Sequence, residues 1–240
     1  MSYVRVLHAV CAVYLLYLDA HLLPISYEIL TTRPDIVRGH FAGLGLQFYT
    51  FWNQIAQQVF TFLVFALDIS DVIKLPISKQ LKAKLRNLSN DLFMYFVFPS
   101  AITVAVNFWM MYAFLENNLI EDFEVIQRHV PPWANQCLHT VILILPALEI
   151  LASWKPYPKR MQGLFKSLIV VMCYTVWTIF ARIIGGRWPY PFLSLLSPAG
   201  LLLYTFGNTT LSSVSYLIGH EFNQAVWGSK QLNKKKNKRT

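Results

Sequence analysis

A threonine and a histidine near the starts of two apolar segments are the residues of this sequence best placed to do chemistry. Thr50 is the fifth residue of one predicted membrane helix, and His139 is the sixth residue of another. Both helices are predicted to enter the bilayer from the non-cytoplasmic side, which puts both side chains roughly 6–8 Å below that surface. If the helices touch, the pair supplies a hydroxyl nucleophile and an imidazole base for attack on an ester or amide carbonyl. From spacing alone, a structural histidine or a proton relay remains open as an interpretation.

A histidine base is normally oriented by a third group. Glu149 follows His139 in the same predicted helix, but it lies about 15 Å deeper and about 80° around the helix axis, so we expect no direct bond. The orienting group must therefore be on another helix, a backbone carbonyl or a water molecule. We expect Glu149 to pair with a basic side chain or to bind the end of a tilted helix. The other histidines are predicted to lie near interfaces or in loops, without a special role: His8, His21, His40, His129 and His220.

The helix that carries Thr50 also carries a stripe of polar side chains. At about 100° per residue these side chains fall within a sector about 100° wide. The stripe consists of Thr50, Gln54, Gln57, Gln58, Thr61 and Asp68. Polar groups inside hydrocarbon normally face protein, so the stripe predicts hydrogen bonds between helices. A polar path for a transported solute is the alternative.

The composition predicts an all-α polytopic membrane protein. Of 240 residues, 55% are hydrophobic and 14% charged, with a mean hydropathy of +0.41, whereas about a quarter of the residues in soluble domains are charged. A membrane span takes about 20 helical residues, and continuous runs of this length disfavour a β-barrel. Six spans are predicted, at residues 4–23, 46–67, 92–115, 134–151, 165–184 and 198–218. The first run is also compatible with a signal peptide, but no small-residue cleavage site follows it, so we predict an uncleaved span.

The placement of charge predicts that both termini are cytoplasmic. The net charge is +9, and basic residues precede the first span and fill the second and fourth loops and the tail. The intervening third loop is acidic, with Glu116, Glu121, Asp122 and Glu124. This is the positive-inside pattern for six spans. The charge is therefore mainly topological, and we predict no nucleic-acid partner.

Residues 1–228 are predicted to form a single transmembrane domain, followed by a disordered basic tail at 229–240. The end of the tail, Lys236 to Thr240, resembles a lysine-based retrieval signal of the endoplasmic reticulum. The alternative is a chance match, because the segment is basic throughout. We therefore predict the endoplasmic reticulum or the plasma membrane as the location. No phosphate loop, paired metal-ligand motif or soluble-hydrolase motif occurs, so no metal or cofactor is predicted.

Two arginines near the non-cytoplasmic end of the fifth span are candidate ligands for an anionic head group. Arg182 and Arg187 are followed by the aromatic run from Trp188 to Phe192. A guanidinium can bind a carboxylate through two parallel hydrogen bonds. Anchoring of the helix end at the interface is the simpler interpretation.

An ordered set of short stretches resembles the family of the androgen-induced and androgen-dependent TFPI-regulating proteins. The stretches are Thr50-Phe51, Pro132-Trp133 with Asn135 and Cys137-Leu138-His139-Thr140, Trp188-Pro189-Tyr190-Pro191-Phe192, Phe206-Gly207-Asn208-Thr209-Thr210 and Tyr216-Leu217-Ile218-Gly219. The resemblance implies a six-span hydrolase of fatty acid esters of hydroxy fatty acids. It also implies that Thr50 is the nucleophile and His139 its partner.

On this basis we predict a lipid substrate within the bilayer, contacted by Arg182, Arg187, Gln54 and Asn135. A non-enzymatic membrane regulator and a small-solute transporter are the alternatives. The oligomeric state and the preferred acyl chain are not specified by the sequence.

Overall fold

The computed structural model describes residues 2–32, 45–115, 130–186 and 188–236, and within these ranges the protein is helical without β-strands. This confirms the predicted all-α class. Arg187, the acidic residues of the third loop and residues 237–240 of the tail lie outside the described ranges. The predictions made for them therefore stay predictions.

Eight α-helices are described, two pairs of which are joined by π-helical turns. Helix α1 is Ser2–Thr32, α2 is Tyr49–Val72 and α3 is Lys79–Leu92. A π-helical turn, Phe93–Val97, continues α3 into α4, Phe98–Leu115. Helix α5, Pro132–Gln136, continues through a second π-helical turn, Cys137–Val141, into α6, Ile142–Ala152. Helix α7 is Arg160–Gly185, a 3-10 turn covers Pro191–Leu195, and α8 is Pro198–Lys236.

The helix ends follow local sequence signals. Ser78 caps α3, because its hydroxyl accepts a hydrogen bond from the Leu81 N–H at 3.2 Å. Pro132 opens α5, a position where the missing N–H costs nothing. Gly186 ends α7 with a left-handed φ of 71°, which glycine adopts without strain.

Five helical segments in the described ranges are long and apolar enough to cross a membrane. They are Tyr3–Glu28, Tyr49–Val72, Lys79–Ala113, Pro132–Ala152 and Arg160–Gly185. Helix α8 is long enough but carries a polar run between Asn208 and Ser215. It packs along α4 and α7, and its role as the sixth span stays a prediction, as does the orientation of the termini. The protein is thus a multi-pass membrane protein built from long helices.

The outer surface of the bundle is apolar where a soluble protein would be polar. Helix α7 exposes large hydrophobic side chains along its length, with Phe165 67% and Ile183 72% exposed. Such a continuous apolar face is stable only against lipid or another protein. Polar side chains are instead collected inside, as expected for a protein dissolved in a bilayer.

The core of the bundle forms where the first π-helical turn meets α2 and α8. Phe93, Met94 and Val97 are fully buried there against Phe60 of α2 and Tyr216 of α8. A Cβ added to Gly163 of α7 would lie 1.7 Å from the Tyr216 hydroxyl. Glycine at this position lets α7 and α8 approach closely.

Helix α8 is described as far as Lys236 and so extends into the segment after residue 228. Lysine and glutamine are good helix formers, so they extend a helix that is already nucleated by the bundle. The division into a transmembrane domain at 1–228 and a disordered tail at 229–240 stays a prediction.

Candidate functional site

The segment before α2 forms a tight turn that sets the position of Thr50. Gly45 has a left-handed φ of 66°, and a Cβ there would lie 2.7 Å from the Phe51 ring. The Leu46 carbonyl accepts hydrogen bonds from the indole N–H groups of Trp52 and Trp177, both at 2.8 Å. These bonds fix the start of α2 against α7. As a result Thr50 is the second residue of α2, in its first turn, rather than the fifth residue of its helix.

The Tyr190 hydroxyl caps the N-terminus of α2. The residue before the helix, Phe48, provides no side-chain cap. Instead the Tyr190 hydroxyl accepts a hydrogen bond from the Tyr49 N–H at 3.1 Å. The Tyr174 hydroxyl lies 3.3 Å from that of Tyr190 and donates to the Gln47 carbonyl at 2.9 Å. The aromatic run that follows α7 therefore holds the first turn of α2.

His139 lies in the π-helical turn between α5 and α6. In this turn the Ile142 N–H donates to the Cys137 carbonyl five residues back, and such turns occur frequently at functional sites. Pro146 has no N–H, so it leaves the Ile142 carbonyl without its usual helical donor. The Gln57 amide donates to that carbonyl at 2.6 Å. This bond ties α2 to α6 close to His139.

Thr50 and His139 meet in the structure. The Thr50 Oγ1 atom lies 3.5 Å from Nε2 of His139, and both residues are half-buried. The other ring nitrogen, Nδ1, lies 3.0 Å from the backbone carbonyl oxygen of Asn135. A carbonyl oxygen only accepts hydrogen bonds, so Nδ1 carries the proton and Nε2 presents its lone pair to the threonine hydroxyl.

The imidazole is held on its face as well as at its edge. Phe108 of α4 stacks on the His139 ring, with centroids 3.6 Å apart and planes 13° apart. The orienting group that the sequence left open is thus the Asn135 main-chain carbonyl, assisted by a stacked aromatic ring. Neither contact has a sequence signature, because one is a backbone atom and the other comes from a different helix.

The predicted substrate-contacting residues have different surroundings. Gln54 is buried, one helical turn after Thr50, and Asn135 is half-buried, one turn before His139. Arg182 donates to the Gly186 carbonyl and lies over the Trp188 ring at 5.9 Å, which supports the anchoring interpretation. Arg187 lies outside the described residues. The roles of all four in substrate binding stay predictions.

The polar stripe of α2 mostly faces protein, as expected. The Gln57 amide donates to the Ile142 carbonyl of α6 at 2.6 Å. The Gln58 amide reaches both carboxylate oxygens of Asp19 on α1, at 2.7 and 2.9 Å. These bonds between helices agree with the structural interpretation of the stripe.

A second polar cluster lies toward the other end of the bundle. Glu149 accepts from the Lys155 ammonium at 2.6 Å and from His8 at 3.0 Å, and the second ring nitrogen of His8 lies 2.6 Å from Asp68. Glu149 therefore pairs with basic groups, as expected. The expectation that His8 has no special role was wrong, because its ring is buried between two carboxylates. Their positions on α2 and α6 are not apparent from the sequence around His8.

Among the described residues, no group of three or more His, Cys, Asp or Glu side chains is arranged so that it could hold a metal ion. The Thr50–His139 pair brings a hydroxyl next to an imidazole nitrogen. The pair resembles the nucleophile and base of acyl-transfer enzymes in its geometry, apart from a somewhat long hydrogen bond. Catalytic hydrogen bonds of this kind are often long in the absence of substrate.

Comparison with known proteins places the chain among relatives of similar length. The model of the FAR-17a/AIG1-like protein family matches residues 7–224. Androgen-induced gene 1 protein of Homo sapiens is 29% identical over 195 residues, covering 79% of this chain and 80% of that protein. Androgen-dependent TFPI-regulating protein of Homo sapiens is 26% identical over 216 residues, covering 89% and 92%. The protein of the same name from Mesocricetus auratus is 28% identical over 192 residues, covering 79% and 81%. No solved structure gives a significant match. Because the family match covers most of the sequence, the chain belongs to the FAR-17a/AIG1-like protein family.

Proposed function

We propose that this protein is an intramembrane hydrolase that cleaves the ester bond of fatty acid esters of hydroxy fatty acids. The observation that carries the proposal is the orientation of His139. Its Nδ1 donates to the Asn135 carbonyl, and its Nε2 faces the Thr50 hydroxyl at 3.5 Å. This is the tautomer and the direction that a general base needs to activate an alcohol. The substrate class comes from the family resemblance.

The proposed reaction has two steps. In the first, Nε2 of His139 takes the Thr50 proton while Oγ1 bonds the ester carbonyl carbon, and the C=O electron pair moves to oxygen. The intermediate collapses, and the leaving alkoxide of the hydroxy fatty acid takes the proton from the imidazolium. In the second step His139 takes a proton from water as the water oxygen bonds the acyl-threonine carbonyl carbon. The C–Oγ1 bond then breaks, Thr50 Oγ1 takes the proton from the imidazolium, and the fatty acid is released.

The surroundings of the pair suit a lipid substrate. Thr50 is in the first turn of a membrane helix and is half-buried, so both water and a chain in the bilayer can approach it. A branched ester can keep its apolar chains in the hydrocarbon while its carbonyl reaches the site. Its free carboxylate would lie nearer the interface, where Arg187 is predicted to bind it.

A covalent probe of the nucleophile tests this proposal. Thr50→Val keeps the shape of threonine but removes the hydroxyl, so fluorophosphonate labelling and ester hydrolysis should both fall by at least about 10³-fold. Thr61→Val makes the same change in the polar stripe of the same helix and should leave both unchanged. Thr50→Ser should retain labelling. Full hydrolysis by Thr50→Val would contradict the proposal.

The transporter alternative requires the amides of α2 to line a path. The amides of Asn53, Gln57 and Gln58 are instead bonded to neighbouring helices. Solute flux in proteoliposomes, with no labelling at Thr50, would favour that alternative. A non-enzymatic regulator would keep its full cellular effect when Thr50 and His139 are both replaced.

A further inference from the structure

Gln54 differs from its polar neighbours on α2. It is 5% exposed, and its side-chain Nε2 is buried without a hydrogen-bond partner among the described residues. The amides of Asn53, Gln57 and Gln58 on the same helix all have acceptors. An unsatisfied donor in a protein interior is unfavourable, and one that persists suggests a ligand that the donor is kept for.

The position of Gln54 relates that donor to Thr50. The two residues are one helical turn apart and so share a face of α2. Side chains on a helix lean toward its N-terminus, so the Gln54 side chain lies over the turn that contains Thr50. The unpaired amide is therefore on the nucleophile's side of the helix, within its first two turns.

The backbone at the start of α2 offers a second donor. The Tyr49 N–H is bonded to Tyr190, and the N–H groups of Phe51 and Trp52 donate to the Phe48 carbonyl. The Thr50 N–H has no acceptor within the described part of the chain. It also lies at the positive end of the helix dipole, which favours a negative charge beside it.

We propose that Gln54 Nε2 and the Thr50 N–H form the oxyanion hole of the hydrolase. This inference rests on the proposed function. When Oγ1 bonds the carbonyl carbon and the C=O electron pair moves to oxygen, these two donors bond the resulting oxyanion. When the intermediate collapses, the C=O bond reforms and the donors are released. Because one donor is the backbone N–H of the nucleophile itself, the attacking oxygen and an oxyanion donor lie in the same helical turn.

Replacement of Gln54 by methionine tests the side-chain donor. Gln54→Met keeps the length of the side chain but donates no hydrogen bond. Loss of one such donor lowers kcat by about 10²–10³-fold in acyl-transfer enzymes, with KM changed little because the ground-state ester needs the donor less. The thermal midpoint should not fall, because a buried unsatisfied amide is replaced by an apolar group.

Gln58→Met is the matched control, since Gln58 is one turn further along α2 and its amide is already used by Asp19. This variant should lose stability but keep the wild-type kcat per folded molecule. A second variant, Gln54→Glu, places a carboxylate at the oxyanion and should also lose kcat.

The outcomes separate the two proposals. Wild-type kcat in Gln54→Met, together with loss of activity in Thr50→Val, would overturn the oxyanion assignment and leave the hydrolase standing. A fall in thermal midpoint for Gln54→Met with unchanged kcat would mean that Gln54 is structural. Full activity of Thr50→Val would overturn the hydrolase and the oxyanion hole together.

Discussion

At the scale of single residues, the main-chain carbonyl of Asn135 has the role that a carboxylate has in many triads. It fixes the tautomer of His139 at a distance of 3.0 Å, but it adds no negative charge beside the imidazole. Such an orienter holds the ring without stabilising the imidazolium as strongly as a carboxylate would. A site of this kind suits a region of low dielectric, where an additional buried charge is costly.

Substitution of Asn135 separates its main chain from its side chain. Asn135→Ala keeps the carbonyl that orients His139, so kcat should fall less than about threefold if the backbone is what matters. His139→Ala removes the base and should lower kcat by at least about 10³-fold. Steady-state hydrolysis by purified protein measures both. A rise in KM for Asn135→Ala with kcat unchanged would support the predicted contact of its side chain with substrate.

At the scale of elements, the first turn of α2 depends on a tyrosine far away in sequence. Tyr190→Phe removes the acceptor for the Tyr49 N–H, which should cost about 1 kcal/mol of stability, as for loss of a helix cap. Because that turn carries Thr50, kcat should also fall several-fold.

Thermal unfolding in detergent and steady-state kinetics measure the two effects. Tyr27→Phe is the control, since Tyr27 is exposed on α1, and it should change neither quantity. If Tyr190→Phe keeps both its thermal midpoint and its kcat, the cap is not important for the site.

Helix rise and the predicted topology suggested a common depth for Thr50 and His139, and the family resemblance named the same two residues. That their helices touch is known only from the structure. The two π-helical turns were not predicted. Each is followed within a few residues by a proline, Pro99 or Pro146, but a proline alone does not specify a π-helical turn. The Tyr190 cap and the Phe108 stack were also missed, because they join positions that only the tertiary fold brings together.

At the scale of the whole molecule, a buried charge cluster connects several helices at the end of the bundle remote from Thr50. His8 on α1, Asp68 on α2 and Glu149 on α6 are linked to Lys155 in the connection before α7. The Asn223 side chain of α8 accepts a hydrogen bond from the Lys155 N–H and donates one to the Lys155 carbonyl, each at 2.9 Å. Two basic groups thus face two carboxylates, and four helices are connected through them.

A double-mutant cycle on Glu149 and Lys155 measures what this cluster contributes. Both side chains are 5% exposed, so removing one partner leaves a buried charge uncompensated. Lys155→Met should therefore lower the free energy of unfolding by about 3–5 kcal/mol. Glu149→Gln combined with Lys155→Met removes both charges and should cost less than the sum of the single changes, by about 0.5–3 kcal/mol.

Lys82→Met is the control, because its partner Asp71 is partly exposed and such a pair contributes about 0–1 kcal/mol. Asp68 follows Thr50 by about 27 Å along α2, so folded molecules of each variant should keep the wild-type kcat. Strict additivity of the stability changes would show that the ion pair does not couple these helices, and a lower kcat in folded protein would show that the cluster acts on the site.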